Sequence, residues 1–541
     1  MQAVQVGMVT MGQRDRQERL GERLGMGSDT ILRRAWRRLA HTVFTALAAV
    51  MLVGALAAAA DAAFYVATTG NDANPGTATA PWRTIQKAAN STPPGSTAYV
   101  RGGIYRERVT VRVSGTAALG PIVLRNFPGQ IPILDGTGLT INDNRGGFYL
   151  ANRSFVRIQG FEIRNYRTAN PSHTPAGIWV VGAGQGIQLR DNRIHRIVNT
   201  GLDGNAHGIA VYGNRAPAAI RDIVIDGNEL FDLVLGFSES LVVNGNVDGF
   251  RITNNHVHDN DNIGIDAIGH EGVSPDPAFD QARNGVIRGN HTYNIDASTN
   301  PAYGGSPGAN GIYVDGGRDI VIEQNIVHHN NIGIEVASEH AGKSSSGITV
   351  RNNFVYRNDI VGITLGGYDR QRGFIDNVWI VNNTLFENDR LRDGNGEVAL
   401  QFDVRRTTIK NNILRANTQG RLISNPFTEN TGNTVDTNLF FVPPGTTPLW
   451  EWRRVEHQSF AAWRTATGND VHSLYADPKL VSTATPNLHL RATSPAIDLG
   501  QLLAAAGSRD IDDEPRGGGL PIDIGADEYW PPAALAAAPG P

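Results

Sequence analysis

An asparagine that returns every 27–36 residues between positions 192 and 412 constrains this chain more than any other feature. It opens a short unit of Asn, one residue, then an apolar residue. The copies are Asn192-Arg193-Ile194, Asn228-Glu229-Leu230, Asn255-His256-Val257, Asn290-His291-Thr292, Asn325-Ile326-Val327, Asn353-Phe354-Val355, Asn383-Thr384-Leu385 and Asn412-Ile413-Leu414. A period of this size belongs to stacked repeats, because one unit cannot bury its apolar face alone. β-Branched runs such as Ile223-Val224-Ile225 and Ile320-Val321-Ile322 precede the asparagines and carry no helical period, so they read as strands. Asparagine at the bend suits a left-handed backbone, and amides stacked coil upon coil can bond each other. One strand, an Asn bend and a second strand per coil predict an all-β fold, a right-handed parallel β-helix.

A second unit marks another face. It runs from Gly177 to Gly182, Gly208 to Gly213, Ser240 to Gly245, Gly264 to Gly269, Gly311 to Gly316, Gly333 to Ser338 and Gly362 to Gly367. Its second and fourth positions are apolar and point inward. Side chains alternate along a strand, so the third and fifth positions point outward, towards solvent.

The ends differ from the middle. Residues 63–140 read as an N-terminal cap with the first coils; Pro81 to Ala88 is apolar at helical spacing and predicts a helical cap over the open end of the stack. Residues 141–417 hold the repeats. Residues 418–530 lose the Asn unit and read as an irregular C-terminal cap, in which Trp450, Trp452 and Trp463 are expected to pack. Residues 531–541 read as a disordered tail. At the other end, Arg33, Arg34, Arg37 and Arg38 precede an apolar run from Thr42 to Ala60, and Ala60-Asp61-Ala62 has the small-x-small cleavage pattern. Residues 1–62 are therefore expected to be a signal peptide, with Met26 as an alternative start and residues 1–25 untranslated. The mature chain is then secreted or cell-surface, with no membrane span. A net charge of −4 gives no basic field for nucleic acid, and the absence of cysteine excludes disulfides and thiolate chemistry. The chain is expected to be monomeric.

At four stretches the sequence resembles the parallel β-helix carbohydrate enzymes, especially the family-nine pectate lyases. These are 64–72 with 81–88, Tyr99-Val100-Arg101-Gly102-Gly103-Ile104-Tyr105, the coil repeat, and Ser494-Pro495-Ala496-Ile497-Asp498 with Asp523-Ile524-Gly525-Ala526-Asp527-Glu528-Tyr529. The resemblance implies a secreted bacterial protein with an extracellular polysaccharide as partner. It also implies a calcium held by several aspartates and a lysine base. No lysine lies on a strand of the repeated faces; Lys343, in the loop after 333–338, is the nearest.

The outward positions are bland in the first rungs (Trp179, Ala210, Val242) and then turn acidic. Position three gives Asp266, Tyr313, Glu335 and Thr364; position five gives Asn244, Ile268, Asp315 and Ala337. Glu239 stands just before, and His270, Glu271, Glu339 and His340 just beyond. Rungs about 4.8 Å apart put Asp315 diagonally about 8 Å from both Asp266 and Glu335, Cα to Cα. Carboxyls about 6.5–9.5 Å apart suit an inverting glycoside hydrolase. Asp266, Asp315 and Glu335 are the candidate catalytic group, and calcium at the same three is the alternative. Glu239, Asn244, His270, Tyr313, Glu339 and Lys343 are candidate substrate contacts, bordered by an excursion over 270–310 that holds Pro275, Pro277, Pro301 and Pro307. Three readings stay open: a hydrolase, a calcium-dependent lyase or epimerase acting on uronates, and a non-catalytic glycan-binding protein. His328-His329 and His256-x-His258 lie beside the Asn bends and read as turn-capping or stacked residues.

Overall fold

The computed structural model describes residues 62–517 and 521–531. The expected signal segment up to Asp61 and the tail beyond Pro531 lie outside the described residues. Among them, strands stack into one 17-stranded and two 13-stranded sheets, with parallel pairing from coil to coil. Each coil visits the sheets in turn. Ile220–Asp226 lies in the first, Glu229–Phe231 in the second and Leu241–Gly245 in the third. The next coil repeats the order with Val247–Thr253, His256–Asn260 and Ile265–Ile268. This is the right-handed parallel β-helix that the repeat predicts.

The asparagines do what their period implies. Asn228 donates from its backbone N and its Nδ2 to Asn255 Oδ1, both at 3.0 Å, and Asn255 does the same to Asn290, again at 3.0 Å. All eight repeat asparagines belong to this buried ladder. The left-handed residue is the one before each of them: Asp191, Gly227, Asn254, Gly289, Gln324, Asn352, Asn382 and Asn411 all have positive φ. The ladder asparagine follows the bend, where its amide can reach along the stack axis. The ladder also runs one coil further than the repeat suggests. Asn412 donates to Asn438 Oδ1, and Asn438 N closes the row on Ser473 Oγ at 2.7 Å. Coil strands therefore continue past 417, with Arg421–Ser424, Thr434–Asp436 and Leu439–Phe441 all in the sheets. A second ladder, unread in the sequence, joins Asn330, Asn358 and Asn388 at the next bend and ends on buried Glu397.

The inward positions of the second repeat also register. Ile178, Ile209, Leu241, Ile265, Ile312, Ile334 and Ile363 stack one above another, all fully buried. The leading glycine has a packing reason: a Cβ on Gly264 would lie 2.5 Å from Gly311 O, and one on Gly333 would lie 2.3 Å from Gly362 O.

Both ends are closed. The helix Ile85–Ser91, capped by Thr84, lays Ile85, Ala88 and Ala89 into the core. Trp450 and Trp463 are fully buried and stacked, with centroids 6.2 Å apart, so they pack the C-terminal end and present no ring to a sugar. Beyond residue 497 the chain runs back along earlier coils. Asn411 Nδ2 donates to Gln501 O (2.8 Å), Asn352 Nδ2 to Ala506 O (3.0 Å) and Asn382 Nδ2 to Asp523 O (2.9 Å). Arg288 pairs with Asp513, and the buried Arg516 guanidinium pairs with Glu528 at 3.0 Å. No helix among the described residues is long and apolar enough to cross a membrane.

Candidate functional site

The third sheet carries the acidic face. Asp266 pairs in register with Tyr313, and Tyr313 with Glu335, so these three form one column. Asn244, Ile268, Asp315 and Ala337 form the column two residues along. Asp315 is thus diagonal to both Asp266 and Glu335. The expectation that these side chains stand in solvent is corrected: Asp266 is 1%, Asp315 4% and Glu335 7% exposed. Alternation fixes which way a side chain points from the core, but not what covers it. Flanking segments do the covering. Glu339 N donates to Asp315 Oδ1 at 2.7 Å, Tyr313 OH reaches Glu339 Oε1 at 3.4 Å, and Asn310 Nδ2 donates to Glu335 Oε2 at 2.8 Å.

The expected excursion over 270–310 is also shorter than it reads. It contains a coil's own strands, Arg283–Arg288 and His291–Ile295, between two loops. Pro275 and Pro277 lie in the first loop, and Pro301 and Pro307 in the second. The first loop brings exposed Glu271 to Asn244, whose Nδ2 donates to Glu271 Oε2 at 2.7 Å. His270 turns the chain there with φ 72°. Burial, Lys343 and His340 together hold its imidazole below the usual range. Lys343 itself is exposed at the rim.

Burial dominates the electrostatics. It pushes Glu239 up to about 8, with Glu271, Asp315 and Glu339 adding to it. It raises Asp266 well above the carboxylate range, helped by Glu239, Asp315 and Glu271. Asp315 rises for the same reason, with Glu339 next in importance. Glu335 goes to about 8 by burial, against the Asn310 hydrogen bond. Buried His207, 3.5 Å from Glu239 Oε2, is driven down to about 4. Several buried oxygens in and beside the face make no hydrogen bond: Glu239 Oε2, Asn244 Oδ1, Asp266 Oδ1, Asn310 Oδ1 and Thr364 Oγ1. Leaving such an atom unpaired costs about 1–3 kcal/mol, which a polar ligand or a cation can offset. A calcium ion takes 6–8 oxygens. Asp266, Asn244, Glu239, Glu271 and Asp315 supply oxygen donors of that kind. Glu271, Asp315 and His340 place one ligand atom each within 4.8 Å of one another.

His207 and Tyr212 escaped the sequence reading because their rungs look bland there. Trp179, Ala210, Val242 and Ile268 form an apolar strip against which Tyr149, Val181 and Tyr212 pack. His207 sits edge-on to Trp179, centroids 5.7 Å apart. Reading the residue before each Gly-Ile pair together with position five would have found both. The second sheet carries a different feature. Phe231, His258, Tyr293, His328 and Tyr356 stack ring on ring up successive coils.

Three parallel sheets with a carboxylate-lined face define a right-handed parallel β-helix. The chain belongs to the right-handed parallel β-helix proteins and carries a Pel9A-like region. The model for the Pel9A-like right-handed β-helix region matches residues 64–250, and that for the right-handed β-helix region matches 176–385. The uncharacterized protein YwoF of Bacillus subtilis is 40% identical over 433 residues, 80% of this chain and 91% of its own. Pectate lyase PEL9 of Emericella nidulans is 33% identical over 168 residues, 28% of this chain and 40% of that one. The lacto-N-biosidase of Eubacterium ramulus, a solved structure, aligns at 14% identity with a TM-score of 0.48, over 76% of this chain and 66% of that one.

Proposed function

We propose that the protein is an exported, polysaccharide-active enzyme whose acidic face hydrolyses a glycan. The observation that carries this reading is a crowd of buried carboxyls that cannot all ionise together. Glu239 and Glu335 are held up to about 8, beside the more exposed Glu271 and Glu339. A proton donor and a proton acceptor then coexist at neutral pH, as general acid–base cleavage of a glycosidic bond needs. Glu335 is assigned the donor role. Asp266 and Asp315, the latter accepting from Glu339 N at 2.7 Å, are assigned the role of the acceptor that activates water. Their diagonal spacing suits inversion. The apolar strip around Trp179 and Tyr212 offers a ring face beside the acids, and His270 and Lys343 border the rim.

A second reading, a calcium-dependent lyase or epimerase on uronates, is favoured by the Glu271–Asp315–His340 group and the unpaired oxygens around it. Asp266, Asn244, Glu271 and Asp315 would hold the ion, which would neutralise a uronate carboxylate, and Lys343 is the nearest lysine to serve as base. The deciding experiment is a panel of neutral and uronic-acid glycans, with and without chelator. New reducing ends that persist in chelator support the hydrolase. Unsaturated, ultraviolet-absorbing products that vanish with chelator support the lyase. Binding without turnover leaves a glycan-binding protein. Export is tested by sequencing the N-terminus of secreted material, expected to begin near Ala63.

A further inference from the structure

We infer that His489, Asp512 and Asp527 form a site for a divalent transition-metal ion of the zinc type, which ties the returning terminal segment together. The site is separate from the acidic face of the third sheet. His489 lies on the strand Asn487–Leu490, Asp512 on the turn that follows Asp510, and Asp527 in the last described stretch. Each residue offers one ligand atom, and these three atoms lie within 4.8 Å of one another. His489 Nε2 and Asp512 Oδ2 are 2.8 Å apart.

The three side chains are set in place by other partners. His489 Nδ1 is 2.5 Å from Asn487 Oδ1, so it donates there and leaves Nε2 as the ligand atom. The ring stands edge-on to Phe354, with centroids 5.2 Å apart. Asp527 is only 6% exposed. Its Oδ2 accepts from Leu490 N at 2.7 Å, and its Oδ1 accepts no hydrogen bond among the described residues. A carboxylate oxygen left without a donor inside the fold favours a cation. Asp512 hangs from a turn wound round the fully buried Asp510, whose Oδ1 accepts from Asp512 N at 3.0 Å and Glu514 N at 2.8 Å. Asp510 Oδ2 accepts from Glu528 N at 3.0 Å, so one carboxyl fixes the two limbs that carry Asp512 and Asp527.

The donor set selects the ion. Imidazole suits zinc and its first-row neighbours, whereas calcium and magnesium prefer oxygens alone. One histidine and two carboxylates match zinc bonds of about 2.0–2.2 Å, with water in the fourth position. Ligand atoms on one tetrahedral ion stand about 3.4 Å apart. In the ion-free protein the His489–Asp512 contact is a hydrogen bond. It opens by about 0.6 Å to admit the ion, a movement that exposed Asp512 can make. Arg288 is engaged by Asp513 and Arg516 by Glu528. Among the described residues, the one ion pair made by Asp512 or Asp527 is that of Asp512 with His489. An ion here joins the strand at 489, the turn at 512 and the stretch at 527, three segments well apart in sequence.

The test is calorimetric titration of zinc into the tag-free, full-length protein after chelator has stripped it, with thermal half-life measured in parallel. Wild type is expected to bind zinc, to last several-fold longer at elevated temperature with it, and to lose that gain in chelator. His489→Gln and Asp512→Asn, at partly and fully exposed positions, should each weaken binding by about tenfold or more and remove the gain in half-life. His340→Ala, on the acidic face, should keep both. Excess calcium should not displace the zinc. No zinc binding by wild type, undiminished binding in both His489→Gln and Asp512→Asn, loss only in His340→Ala, or displacement by calcium would overturn the inference.

Discussion

Asp315 is the residue on which the functional readings part. Its carboxyl is buried among acids and accepts only one short bond, from Glu339 N at 2.7 Å. Asp315→Asn should abolish turnover if the carboxyl moves a proton, with no response to added calcium. If it binds an ion, excess metal should partly restore activity. Either way the melting temperature should hold or rise, because removing one of several crowded charges relieves repulsion. Glu335 adds a pH dependence of stated sign. Its folded-state value, about 8, lies above the ordinary carboxylate range. Its contribution to stability is therefore fully present below about pH 4.5 and is lost as pH rises through about 8. Glu335→Gln, which can still accept from Asn310, should show a shallower fall in melting temperature between about pH 5 and 8 than wild type. Thermal scans across that range check it, and equal slopes would show that Glu335 is charged throughout.

Single coils show what the repeat encodes and what it omits. Ile312 lies fully buried between Ile265 and Ile334. Ile312→Asp should destabilise the protein by several kcal/mol, because it places an unpaired charge in the core. Asn290 accepts both donors of Asn255, so Asn290→Leu leaves those donors unmet and should cost about 2–3 kcal/mol. Chemical denaturation of the two variants measures both. These positions were legible because a coil's core and its ladder recur at a fixed period. The shift of the left-handed residue to the position before the ladder asparagine was not legible, since glycine, aspartate, asparagine and glutamine all fill it. The covering of Asp266 and Asp315 was not legible either. It depends on which loops fold over the face, and those contacts join residues more than twenty positions apart. The second ladder repeats at the same 28 and 30 residues as the first, five positions on, but it runs to only three asparagines and its last member, Glu397, is not one.

At the scale of the whole molecule, the segment beyond residue 497 matters as much as the stack. A stack of coils without disulfides frays from its ends, each coil held mainly by its neighbours. Here Asn352, Asn382 and Asn411 grip the returning segment across three successive coils, and Ile522, Ile524 and Ala526 are buried with it. Asn352 and Asn382 have φ near 55° and 52°. The double change Asn352→Gly and Asn382→Gly keeps that backbone while deleting the amides. It should leave the circular dichroism spectrum unchanged but shorten the half-life at elevated temperature several-fold; equal half-lives would mean that the grip is incidental. The last coils cannot peel away in turn while this segment holds them, because several must let go at once. If the protein is exported as proposed, no chaperone repairs it outside the cell, and persistence is a matter of rate. The lashing of this last described segment then acts as the clock on how long the folded molecule lasts.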